Sequence, residues 1–165
     1  MDIAGRDELV RDLARGVVAR VAPQEMPTFR VQSDSYFRAP EAALKRAGER
    51  GRDEALGFGA AEAAALVTPA ALAIATTVIA FLFDIVREAM KTEATSALRE
   101  RVKGMIGSGR SAAAGTASGA PTLTAEQISL VRQTALEKAL QLRLSEDQAT
   151  LLADAVVGSL SLSRP

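Results

Sequence analysis

The chain contains neither cysteine nor histidine. Without cysteine there is no disulfide, no thiolate metal ligand and no thiol nucleophile. Without histidine the commonest general base and the commonest transition-metal ligand are both missing. Together these absences exclude a Ser-His-Asp triad, a Cys-His pair and an HExxH zinc site. Catalysis would have to use Asp, Glu, Lys, Ser or Tyr, and these form no constellation with a recognisable spacing. The sequence therefore reads as non-enzymatic, with no cofactor, no metal and no small-molecule substrate. Tryptophan is absent and aromatic residues make up 4%, which removes stacking platforms for single-stranded nucleic acid. The 20 basic residues are balanced by 20 acidic ones, so no overall positive field draws a nucleic-acid partner.

What the chain does have is alanine in abundance, and far more arginine than lysine. That bias fits a GC-rich bacterial genome. Its first residues, Met1-Asp2-Ile3-Ala4-Gly5-Arg6, lack the basic and then apolar order of a cleavable signal peptide, and Gly5 is not where a myristoylation signal needs it.

In 165 residues there is room for one ordinary domain, or for small pieces around a membrane segment. Residues 1–54 read as an N-terminal helical region. Leu9, Val10, Leu13, Val17, Val18 and Val21 recur at helical spacing with Arg11, Asp12, Arg15 and Arg20 between them, which predicts an amphipathic helix over Asp7–Val21, stopped by Pro23 and Pro27. Met26–Phe37 has no clear period and reads as irregular, with Tyr36 and Phe37 as packing residues. Pro40 suits the first position of a short helix ended by Gly48.

The dominant feature is the apolar stretch Ala63–Phe83, about 21 residues without a charge, bracketed by Glu62 and Asp84. A bilayer core needs roughly 20 such residues at about 1.5 Å each. Leu66, Leu72, Ile74, Val78, Ile79, Phe81, Leu82 and Phe83, with Val67, each favour insertion by roughly 0.3–0.6 kcal/mol, about 3–5 kcal/mol together. The Ala, Thr and Pro positions add little. The competing expectation is an Ala-rich helix buried at the centre of a soluble bundle. Beyond Asp84 an amphipathic pattern continues through Ile85, Val86, Ala89, Met90, Ala97, Leu98 and Val102. With Thr68 as cap and Pro69 at the first position, one helix could run unbroken to about Lys103, so that residues 55–106 would form a membrane segment that feeds into an amphipathic, coiled-coil-like stalk. Basic residues flank both sides almost equally, so the positive-inside rule fixes no orientation.

Residues 107–121, GSGRSAAAGTASGAP, form a Gly/Ser/Ala-rich linker. Residues 122–165 then carry two capping boxes, Thr124-Ala-Glu-Gln127 and Ser145-Glu-Asp-Gln148. These open two helices, about 125–142 and 146–160, joined as a hairpin. Ile128, Val131, Leu142, Leu151, Leu152, Val156 and Leu160 line its apolar faces. A hairpin of that size buries little core alone, so these residues are candidates for contact with a second copy, a protein partner or the rest of the chain.

Two motifs are weaker. Gly57-Phe58-Gly59 resembles the start of a phosphate loop but lacks both a preceding strand and a following Gly-Lys-Ser/Thr, and reads as a joint. Small residues recur four apart as Gly57, Ala61 and Ala65, as Ala71 with Ala75, and as Thr76 with Ala80. Such rows let helices approach closely and self-associate.

The expectation is thus an all-α chain with a single transmembrane helix flanked by small helical modules. Its leading role is a self-associating adaptor anchored in the lipid of the cell membrane. Two other roles stay open: a small membrane-permeabilising effector of a bacterial toxin or defence system, and a cytoplasmic helical bundle serving as an assembly module.

Overall fold

The computed structural model describes residues 3–54, 67–89, 102 and 123–161, and they are helical almost throughout. Six α-helices occur among them: α1 (Ile3–Val21), α2 (Phe29–Arg38), α3 (Pro40–Glu54), α4 (Val67–Ala89), α5 (Ala125–Gln141) and α6 (Glu146–Ser161), with a single 3-10 turn at Pro23–Glu25 between α1 and α2. There is no strand among the described residues.

The burial pattern of α1 explains its place. Leu9, Leu13 and Val17 form one buried column, and Val10, Ala14 and Val18 form a second beside it. Two adjacent columns make a stripe broad enough to face two neighbours, and α1 packs against both α4 and α6. The hairpin α5–α6 completes the arrangement, because α5 packs on α4 while α6 packs on α1. The four helices α1, α4, α5 and α6 therefore form a ring of neighbours, a four-helix bundle. Helices α2 and α3 lie outside it and cover α4. One continuous core runs through α1, α2, α4, α5 and α6.

Small residues set the helix spacing. Val131, Ala135 and Ala139 on α5, with Ala149 and Ala153 on α6, are fully buried. At Gly16 on α1 an added Cβ would sit 3.1 Å from the Ser159 hydroxyl on α6, so the two backbones approach closely there. Ser159 is buried and donates to the Ala155 carbonyl at 2.8 Å, which leaves no unmet donor in the contact.

Both capping boxes form as expected. The Gln127 backbone N–H donates to the Thr124 hydroxyl at 3.2 Å while the Thr124 N–H donates to the Gln127 side chain at 2.9 Å. Ser145 and Gln148 make the same reciprocal pair at 3.3 and 3.4 Å. Three local expectations are corrected. Met26–Phe37 is not irregular. It holds α2, whose buried positions Phe29, Ser33 and Tyr36 do recur at helical spacing. Gly48 does not end α3, which continues to Glu54. Thr68 is not an N-cap acceptor, because its hydroxyl donates to Glu25 instead.

Candidate functional site

The candidate site is the apolar helix α4 and the residues that meet it. The stretch Val67–Arg87 is long and apolar enough to cross a membrane, by length and composition alone, and the core helix of a soluble protein meets the same criterion. From Val67 to Phe83 no side chain is exposed, and Asp84 is the first that is. Leu72, Ile74, Ala75, Val78, Ile79 and Leu82 have essentially no accessible surface. Burial of each large aliphatic side chain is worth roughly 1.5–3 kcal/mol, so α4, like α1, is a major source of core energy in the bundle.

The polar atoms of α4 are few and placed. Thr76 and Thr77 turn their hydroxyls back onto the Leu72 and Ala73 carbonyls at 2.8 and 3.2 Å. The Tyr36 hydroxyl on α2 lies 3.5 Å from that of Thr76. At the other end Glu25, only 4% exposed, reaches α4 from the 3-10 turn. Its Oε2 accepts from the Thr68 backbone N–H at 2.9 Å and from the Thr68 hydroxyl. The first turn of a helix has N–H groups with no internal partner and carries positive partial charge. A carboxylate there satisfies both conditions. The other oxygen of Glu25, Oε1, is buried with no hydrogen-bond partner among the described residues.

A second polar cluster ties α1 to α2. Arg11 pairs with Asp34 at 2.9 Å, and its guanidinium lies 4.8 Å from the Phe37 ring centroid. Phe37 meets Tyr36 edge-on at 5.5 Å. On the hairpin surface Arg132 donates to Asp154 at 2.7 Å, and this hydrogen bond raises the guanidinium pKa further above its ordinary value.

The residues singled out from sequence fall as follows. Leu72, Ile74, Val78, Ile79, Leu82 and Phe83 are buried within the bundle and Phe81 is half-buried; Ala63 and Leu66 lie outside the described residues. In the small-residue rows Ala71 and Ala75 are buried, Thr76 and Ala80 are half-buried, and Gly57, Ala61 and Ala65 lie outside the described residues. The proposed stalk beyond Ala89 also lies outside them, apart from Val102, which is buried in the core. On the hairpin Val131, Leu152, Val156 and Leu160 are buried, Ile128 and Leu142 are half-buried, and Leu151 is 53% exposed. Sequence reasoning passed over Glu25. An isolated acid beside Pro23 gives no signal when its partner stands 43 positions away.

Comparison with protein-family models, with curated proteins and with solved structures gives no match to this chain.

Proposed function

We propose that this chain is a non-enzymatic helical interaction protein whose resting form is a water-compatible bundle, with the apolar helix held inside it. The observation that carries this reading is the burial of Val67–Phe83, where Val67, Thr76, Thr77, Ala80 and Phe81 are half-buried and every other side chain is buried. A membrane anchor at rest would have to exchange the packing of α1, α2 and α5 on α4 for lipid tails. That exchange would also uncover the apolar faces of those three helices to water, at a cost proportional to the area exposed. The absence of histidine and cysteine supports action by contact over action by catalysis. The test is extraction. The full chain is expected to enter buffer without detergent and to elute as one defined species. A requirement for detergent would overturn this reading.

A second reading has its own support in α4. Its length and apolar composition suffice for a membrane crossing. In this reading the bundle is a store, and the protein acts by releasing α4 into lipid as a permeabilising or anchoring effector. Addition of purified protein to dye-loaded vesicles tests it, and leakage is the expected result. Vesicles that stay sealed and unbound would count against it.

A further inference from the structure

We propose that the contact between Glu25 and Thr68 is an autoinhibitory latch that keeps α4 in the bundle. The proposal rests on the second reading above, in which α4 leaves for lipid.

Consider what α4 loses on leaving. Nearly all its contacts are apolar and undirected; lipid tails replace them on the side of α4 itself, while the faces of α1, α2 and α5 left behind meet water at a cost proportional to their area. The hydroxyls of Thr76 and Thr77 travel with the helix, since they are bonded to its own carbonyls. Among the described residues, the directed polar ties from the apolar stretch to other elements are the two bonds from Thr68 to Glu25 and the long Tyr36–Thr76 approach of 3.5 Å. The Thr68 tie is by far the stronger, since a charged acceptor roughly doubles the strength of a hydrogen bond. The directed, polar part of the resistance to release is therefore concentrated at one residue.

Glu25 is mounted firmly. Its own N–H donates to the Ala22 carbonyl at 2.9 Å, and its carbonyl accepts from both the N–H and the hydroxyl of Thr28 at 3.0 Å. The side chain is in a costly place, however. It is buried, and Oε1 has no partner among the described residues; a buried carboxylate is tolerated only while its partners hold it. When α4 departs, Glu25 regains water. That gain offsets part of the two lost bonds.

The experiment compares wild type, Glu25→Ala, Thr68→Val and Leu152→Ala by flotation with phosphatidylcholine–phosphatidylglycerol vesicles, alongside hydrogen exchange of the α4 amides. Leu152 is a buried residue of α6 and serves as a control for simple loss of stability. The expected result is that Glu25→Ala raises the vesicle-bound fraction several-fold above Leu152→Ala at equal loss of thermal midpoint. Thr68→Val, which keeps the backbone N–H, is expected to rise less. Glu25→Gln, which keeps the shape and one acceptor oxygen, is expected to fall between wild type and Glu25→Ala and replaces the latter if it does not fold. Should wild type or Leu152→Ala bind vesicles while the latch variants bind no more than the control, the latch is wrong and the insertion reading survives. Absence of vesicle binding by every variant overturns both.

Discussion

Two single residues carry conformational cost that substitution can relieve. Arg143 has φ 63°, in the left-handed region. It follows Leu142, the C-cap of α5, and its N–H donates to the Leu140 carbonyl while that of Leu144 donates to Ala139. This pair of bonds is a Schellman ending, which usually places glycine where Arg143 stands. Arg143→Gly is expected to raise stability by about 0.5–1 kcal/mol, read as a higher denaturation midpoint, because the Cβ strain disappears. Gly48 lies inside α3 with nothing near the position of a Cβ. Gly48→Ala is expected to gain about 0.8–1 kcal/mol in the same measurement. Loss of Glu25 acts the other way. Glu25→Ala strands the Thr68 donors and is expected to cost roughly 1–3 kcal/mol. None of these three roles was legible in the sequence. The turn at Leu142–Ser145 has no glycine to announce its geometry. Gly48 reads as a stop because only tertiary packing shows that the helix runs past it. The Glu25–Thr68 contact joins residues that no local period connects.

At the scale of elements, legibility follows the strength of the local signal. The helices α5 and α6 were placed almost to the residue, because Thr124 and Ser145 each carry a complete reciprocal cap. Thr124→Ala is expected to cost about 1 kcal/mol and to fray the start of α5, visible as faster amide exchange there. Helix α1 was legible from its twin apolar columns. Helix α2 was not, because Ser33 occupies one of its three buried positions and satisfies itself on the Phe29 carbonyl at 2.8 Å. A polar residue in the stripe hides the period. For α4 the sequence shows length and apolarity, yet not what surrounds it, since packing partners leave no mark on the helix itself. Ile74→Ala is expected to destabilise the fold by about 2–5 kcal/mol. A much smaller effect in chemical denaturation would indicate that α4 is not the centre of the core.

The whole molecule depends on its ring of helices being closed. The hairpin α5–α6, set off in the sequence by the stretch 107–121, shares its core with α1 and α4. A covalent closure can test this directly, since the chain has no cysteine to confuse the result. A Cβ at Gly16 would lie 3.4 Å from that of Ser159, at the edge of the roughly 3.5–4.5 Å that a disulfide spans. The double substitution Gly16→Cys with Ser159→Cys is expected to oxidise spontaneously and to stabilise the bundle by about 2–4 kcal/mol relative to its reduced form. Failure to form the bridge under mild oxidant would argue that α1 and α6 do not meet.

That closure also dictates what happens while the chain is being made. The described part of α4 reaches Ala89, but the hairpin that covers one side of it extends to Ser161. At a ribosomal rate of about 5–20 residues per second the interval is roughly 4–14 s. For those seconds a stretch long enough to be read as a membrane span is only partly shielded as it leaves the exit tunnel. Whether chaperone or insertion machinery captures it in that window is a contest of rates, settled before folding is complete.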